Sequence, residues 1–240
     1  MKILSYNING IKSFLSKGGL DYIKSINPDI ICFQETRTKT MMIDLDGYHK
    51  IYSPGITGAG VCIYSKIKPL KIYETDLKYP GRIIICKFNK FTLFNIYSPY
   101  YNDILKNYFL NVHTRFRFDA YLNEMIYKII NSSKKKTNVI IAGDLNVARN
   151  IIDIERPNEK LPGFTPEERT SFERIIFQNN LIDTFRIQNP DKKEYSFYSY
   201  RSKYKSGMRL DYFLTNFKFK SSIIDKVFFS DHLPIILELN

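Results

Sequence analysis

Carboxylate and amide side chains repeatedly stand just past short apolar runs. Asn7 follows Ile3–Tyr6, and Glu35 follows Ile30–Phe33 with Gln34 between. Asp144 and Asn146 follow Val139–Ala142, Asp211 lies within RLDYF, and Asp231-His232 precedes the last apolar run. A polar side chain at the end of a buried strand is held rigidly and faces the loop layer. Taken singly, each reads equally well as a turn former, because Asn and Asp favour turns. Their repetition points to a shared site. The set is rich in oxygen and free of thiolate, which suits a hard cation, Mg²⁺ or alternatively Mn²⁺. Mg²⁺ commonly takes one or two carboxylates plus substrate phosphate and water, and Glu35 is the strongest single candidate. A metal beside a phosphate offsets charge as the phosphorane develops. His232 is one of three histidines, next to Asp231 and downstream of Asp211. A neighbouring carboxylate would raise its pKa and fix its tautomer. His49 and His113 lack such neighbours and read as surface residues.

The elements that must position these groups are mostly short strands. Lys2–Tyr6, Asp29–Phe33, Gly60–Ser65, Leu70–Tyr73, Arg82–Phe88, Phe91–Tyr97 and Val139–Ala142 are apolar and β-prone. Leu210–Leu214, Val227–Phe229 and Ile235–Leu239 continue the series. Two helices are legible. Tyr121, Leu122, Met125, Ile126, Ile129 and Ile130 fall on one helical face. Thr165-Pro166-Glu167-Glu168 is a helix start, with Thr165 as cap, Pro166 in the first turn and Glu168 completing a capping box. Phe172, Ile175 and Ile176 form its buried stripe, and Asn179-Asn180 end it. No Pro/Gly/Ser-rich linker divides the chain, so one α/β domain over residues 1–240 is expected, with function in the long basic loops.

The 240 residues carry 36 Lys and Arg against 24 Asp and Glu, a net charge of +12. That favours a polyanionic partner, nucleic acid or an anionic membrane face. A drift toward lysine in a chain rich in Ile, Lys, Asn and Tyr competes as an explanation. Composition excludes a disordered tail, a collagen-like repeat and a disulfide scaffold. Cys32, Cys62 and Cys86 sit in apolar runs without CxxC spacing and read as reduced core thiols of an intracellular protein. No apolar stretch approaches 18 residues, so no membrane span is expected. Asn7 and Asn9 interrupt the place where a signal peptide needs its apolar run.

In order, the motifs are SYNINGIKS at 5–13, PDIICFQETR at 28–37, GDLNVA at 143–148 with Ile152-Asp153, PGFTPEERTSF at 162–172 with DTFR at 183–186, RLDYFL at 209–214 and SDHLP at 230–234. Together they resemble the exonuclease III / AP endonuclease family of the Mg²⁺-dependent endonuclease–exonuclease–phosphatase superfamily, over essentially the whole chain. The resemblance implies a four-layer α/β sandwich, two packed mixed β-sheets flanked by helices, of the DNase I-like kind. It implies Mg²⁺-dependent hydrolysis of a DNA phosphodiester 5′ to an abasic site, with possible 3′→5′ exonuclease and 3′-end trimming. Carried over residue by residue, Glu35 would bind Mg²⁺ with Asn7 alongside and Asp231 as a metal-site neighbour. Asp144 would position or deprotonate the attacking water, and Asn146 would orient phosphate and water. Asp211 would pair with a cationic His232 that stabilises the phosphate transition state. Tyr97 would donate its hydroxyl to the phosphate; without the resemblance it reads as a half-buried strand aromatic.

Double-stranded DNA with abasic sites is the implied partner of a monomeric intracellular enzyme. Arg37, Arg115, Arg117, Arg149 and Arg156 fall in or beside candidate loops and could contact phosphates. The stretch 198–205 is the densest basic patch, with Tyr198 and Tyr200 interleaved among Arg201 and Lys203. Several positions where the family often carries Trp differ here, since the chain has no Trp and Met208 precedes RLDY. Met208 could still fill an apolar sugar pocket. Arg201 stands where eukaryotic-type relatives place an apolar wedge. The rivals are a phosphoinositide phosphatase or 5′-tyrosyl-DNA phosphodiesterase of the same superfamily, and a DNA-binding module with a decayed site.

Overall fold

Strands that are apolar on both faces need cover on both sides. Six form one sheet, ordered β13 (Ser221–Ile224), β14 (Ile235–Glu238), β1 (Lys2–Asn7), β2 (Ile30–Gln34), β4 (Gly60–Ser65) and β3 (His49–Pro54). Six form another, ordered β5 (Lys71–Tyr73), β6 (Ile83–Lys87), β7 (Thr92–Tyr97), β8 (Val139–Asp144), β12 (Asp211–Thr215) and β9 (Ile182–Asp183). A hairpin, β10 (Phe197–Ser199) with β11 (Ser206–Met208), stands beside them. These come from a computed structural model that describes residues 1–40, 43–55, 58–100, 108–134, 136–199 and 206–240.

The two sheets face each other across one core, in which Ile3, Cys32 and Val61 meet Leu93, Ile140 and Phe213. The outer face of the first sheet, with Leu4, Tyr6 and Phe33, packs under Phe14 and Ile23 of α1 (Ile11–Ser16) and α2 (Gly19–Ile26). The outer face of the second, with Phe94, Ile141 and Leu214, packs under α3 (Tyr108–Ile130) and α4 (Pro166–Gln178) through Leu122, Ile126 and Phe172. The result is the expected four layers: helix, sheet, sheet, helix. Among the described residues, no helix is long and apolar enough to cross a membrane. Cys32, Cys62 and Cys86 are buried and unpaired, and burial pushes each thiol well up, Cys86 to about 12.

The predicted cap of α4 is present: Thr165 accepts from the Glu168 N–H, and Glu168 reaches back to the Thr165 N–H. Other expectations are corrected. The helix read from Tyr121 onward begins at Tyr108, thirteen residues earlier; Arg115, Arg117 and Asp119 interrupt the apolar pattern just before Tyr121. Val227–Phe229 is not a strand. Val227 bonds back to the Asp225 carbonyl and Phe229 to the Tyr6 hydroxyl, so this segment is a tight loop between β13 and β14. Helices α1, α2 and α5 (Thr184–Gln188) and strands β3, β9, β10, β11 and β13 were not legible; α1 and α5 are only six and five residues long.

One polar bridge crosses the core beneath the strand ends. Gln34 on β2 donates to the Asn95 side-chain oxygen on β7 at 2.7 Å and to Ser5 at 3.1 Å. Asn95 donates in turn to the carbonyls of Phe33 and Cys62. All three side chains are buried, so each lost partner leaves a desolvated polar atom. Asn95→Ala should therefore lower stability by about 2 kcal/mol, read as a lower urea midpoint at unchanged slope. A midpoint equal to wild type would contradict the bridge.

Candidate active site

The register of the central strands brings the predicted residues to one edge. In parallel β7 and β8, Tyr97 lies opposite Asp144, and in antiparallel β8 and β12, Asp144 lies opposite Asp211. On the other sheet, β1 ends at Asn7 beside Gln34, one residue before Glu35. Gly143 makes the close approach possible: its φ is 136°, and a Cβ there would lie 2.0 Å from the Ile96 carbonyl oxygen. Four non-glycine residues at this edge, Asn9, Glu35, Arg37 and Asn146, hold positive φ near 50°. Such conformations persist only where the surroundings impose them.

Asn7 joins the two sheets. Its Nδ2 donates to Glu35 Oε1 at 3.0 Å and to Asp144 Oδ2 at 2.9 Å, which uses both amide hydrogens. Its Oδ1 accepts from the Asn9 N–H. His232 Nε2 lies 3.4 Å from the same amide nitrogen and 3.7 Å from Asp144 Oδ2. On its other side, His232 Nδ1 meets Asp211 Oδ2 at 2.8 Å. Burial opposes charging of this imidazole, but Asp211 and Asp144 outweigh it and push its pKa up to about 10. Burial likewise pushes Asp144 up, to about 7, against the pull of His232. Asp144, Asp211 and His232 are thus an internal chain of alternating charge. This explains their clustering without requiring His232 to ligate a metal.

The other predicted residues fall into place around this chain. Asn146 donates to the Ser98 carbonyl and its N–H bonds Asp144 Oδ1, at 2.9 Å each. Tyr97 is hydrogen-bonded to Glu35; burial, then Glu35 and Asp144, raise its hydroxyl far above the ordinary value, so it stays a donor. Glu35 Oε2 is held by Arg37 at 2.5 Å, so Arg37 pairs within the site. Asp231 lies one step outside, accepting from Asn9 at 2.7 Å and from Ser230 at 3.1 Å. Met208 packs in a small apolar cluster with Phe164, Leu210 and Phe197, whose ring lies 4.9 Å from that of His232.

Two expected loop contacts are corrected. Arg115 is 1% exposed. It lies on the inner face of the longer α3, where it pairs with Asp119 at 3.0 Å and donates to the carbonyls of Pro99, Leu145 and Asn146. It supports the Asn146 loop from below and does not face outward. Arg149 turns toward α4, with both its Nε and Nη2 on Glu173. Arg117 and Arg156 are exposed, and Tyr198 is half-buried beside Asp231, to whose carbonyl its N–H donates at 2.8 Å. Tyr200, Arg201 and Lys203 lie outside the described residues. Sequence reasoning missed Ser196, whose hydroxyl donates to Asp211 Oδ2 at 2.6 Å, and Arg82, whose guanidinium lies 4.3 Å from the Tyr97 ring centre. Neither carries a local signal: Ser196 is a small residue in an aromatic run, and Arg82 precedes a strand by one residue.

The donor set fits a hard divalent cation. Three carboxylates, Glu35, Asp144 and Asp211, meet with amides and no thiolate. The buried Asp211 Oδ1 has no hydrogen-bond partner among the described residues. Glu35, partly exposed and steadied by Asn7, is the carboxylate best able to reach such an ion from the open side.

Known proteins resemble this chain in sequence and in fold. The profile of the Endonuclease/Exonuclease/phosphatase family matches residues 4–232. The chain is 35% identical to a Dictyostelium discoideum protein named DNA-(apurinic or apyrimidinic site) endonuclease, over all of this chain and 71% of that one. It is 32% identical to a Bacillus subtilis protein named exodeoxyribonuclease, over the full length of both. The structure of an AP endonuclease from Archaeoglobus fulgidus superposes with a TM-score of 0.86 at 24% identity, covering 100% of this chain and 99% of that one. The chain belongs to the endonuclease/exonuclease/phosphatase family, in its exonuclease III and AP endonuclease branch.

Proposed function

We propose that the protein is a DNA repair nuclease. It hydrolyses the phosphodiester 5′ to an abasic site in double-stranded DNA and leaves a 3′-hydroxyl. A 3′→5′ exonuclease and 3′-end trimming would use the same centre. One catalytic domain over residues 1–240 carries the activity, acting as a monomer wherever the cell keeps its DNA. The observation that supports this most is the chain Asp211–His232–Asp144, tied by Asn7 to Glu35 at the edge where both sheets end.

Each group has a task that its geometry suits. Asp144, raised toward neutrality, takes a proton from the attacking water or orients it. Asn146, held in a positive-φ turn, presents its amide toward phosphate and water. His232 remains an imidazolium and offsets charge on the non-bridging oxygens as the P–O3′ bond breaks. Asp211 fixes its orientation and charge, and the Ser196 hydroxyl steadies Asp211 in turn. Tyr97 donates its hydroxyl to the phosphate. Mg²⁺, with Mn²⁺ as a substitute, would be held by Glu35 with Asn7 alongside and Asp231 nearby. It supplies Lewis-acid stabilisation of the phosphate when bound. Arg117, Arg156, Tyr198 and Met208 would meet the DNA, with Arg37 able to leave Glu35 for a phosphate. The segment with Tyr200, Arg201 and Lys203 would add salt-dependent contacts.

A duplex carrying a tetrahydrofuran abasic analogue should be incised in Mg²⁺ and left intact in EDTA. Cleavage in EDTA, or no cleavage by folded protein, would overturn the proposal. Asp144→Ala and His232→Ala should each slow incision at least about a thousandfold while keeping the wild-type circular dichroism. Nitrogen-15 spectra of the histidine rings supply a second check. A pKa raised above the free value keeps the cation as pH rises through neutrality, so one ring should remain imidazolium at pH 8 and lose its proton near pH 10. All rings neutral at pH 8 would contradict the assigned role of His232.

A further inference from the structure

Phe228 is an exposed aromatic four residues before His232 that the assigned chemistry leaves unused. It is 60% exposed, while its neighbours are anchored inward. Phe229 packs edge-on against Phe14, with ring centres 5.8 Å apart, and its N–H bonds the Tyr6 hydroxyl. Asp225, at the start of the loop, accepts from Tyr22 and donates its N–H to the Pro234 carbonyl. The loop is therefore fixed on both sides of a ring that is largely exposed.

Its surroundings are specific. The Phe228 ring lies 6.2 Å from the Tyr198 ring at 53°, and Tyr198 lies 6.3 Å from Tyr195. Tyr198 is tied by its N–H to the Asp231 carbonyl, one residue from His232. Phe228 also walls a cavity of about 270 Å³ whose other edge is Asn9, Ser13, Lys17 and Asp231. Lys17 holds its ammonium there, donating to the Phe229 carbonyl at 3.0 Å. An aromatic step, a cation and hydroxyl and amide groups around one cleft match a nucleotide: a base to stack, a phosphate to attract and a sugar between.

We propose that Phe228 and Tyr198 form an aromatic shelf that stacks against a nucleotide flanking the cleaved phosphodiester, with its phosphate toward Lys17. The inference rests on the nuclease reading of the site. It adds a specific contact beside Asp231.

The test measures equilibrium binding of the full chain to the tetrahydrofuran duplex in EDTA, by fluorescence anisotropy. Phe228→Ala should weaken binding about tenfold, in line with the loss of one base–aromatic stack. Phe228→Trp should restore it and Phe228→Leu should not. Two further duplexes each replace one nucleotide flanking the lesion, on the 5′ or the 3′ side, by a base-free spacer. On one of them wild type and Phe228→Ala should bind alike, because no base remains to stack. Equal affinity of Phe228→Ala and wild type on the parent duplex overturns the shelf. So does full rescue by Phe228→Leu, or the same loss on all three duplexes. If wild type cleaves in Mg²⁺ while any of these results holds, the shelf alone fails. If wild type neither binds nor cleaves, the nuclease reading fails and takes the shelf with it.

Discussion

The site depends on one amide placed between carboxylates from two different sheets. Asn7 ends a strand of the first sheet and reaches Asp144, which ends a strand of the second. Its two hydrogens go to Glu35 and Asp144, two acids that would otherwise face each other across a poorly solvated gap. A neutral donor can hold both without bringing a further charge between them. A lysine would quench their charge, and a carboxylate would force a proton onto the group. With Asn7 in place, Glu35 is held at the open side and Asp144 stays 3.7 Å from the Nε2 of His232.

The rest of the fold keeps those two sheet edges in register. The Gln34–Asn95 bridge sets their separation below the site. Arg115 gathers three carbonyls from the segments after β7 and β8, so the Asn146 turn is braced from the helix layer. Arg209 does the same on the far side. It is fully buried between Asp153 and Asp183, with contacts from 2.6 to 3.1 Å, and Arg186 completes the cluster on Asp153. Removing one partner of such a buried network leaves an uncompensated charge and costs about 3–5 kcal/mol. These ion pairs fix the residues on either side of Arg209, Met208 and Leu210, and the start of β12 that carries Asp211. Polar groups inside this protein therefore serve position more than net stability.

Much of this was legible from the chain alone. Strands ending in Asn7, Gln34, Tyr97 and Asp144 were readable because their apolar runs stop abruptly at a polar residue. The cap at Thr165 was readable because it is local. Arg115 was misjudged because an arginine outside the visible apolar stripe looks like a loop residue, and its carbonyl partners are about 30 positions away. Arg149 failed for the same reason, with Glu173 as its distant partner. Val227–Phe229 looked like a strand because its composition suits one, whereas its hydrogen bonds to Asp225 and Tyr6 make it a loop that leaves Phe228 outside. Pairings between remote residues, and short helices with one turn of apolar side chains, leave no periodic trace.

The claim that a neutral amide must bridge the two acids is tested most directly by Asn7→Asp, which keeps shape and replaces both hydrogens by a third acid. Incision of the abasic duplex in Mg²⁺ should fall at least about a hundredfold at pH 7.5, since no donor then holds Glu35 and Asp144 together. The deficit should shrink as pH is lowered, because a proton shared among the three carboxylates restores one bridging bond. Activity of Asn7→Asp within a few-fold of wild type at pH 7.5 would contradict the account.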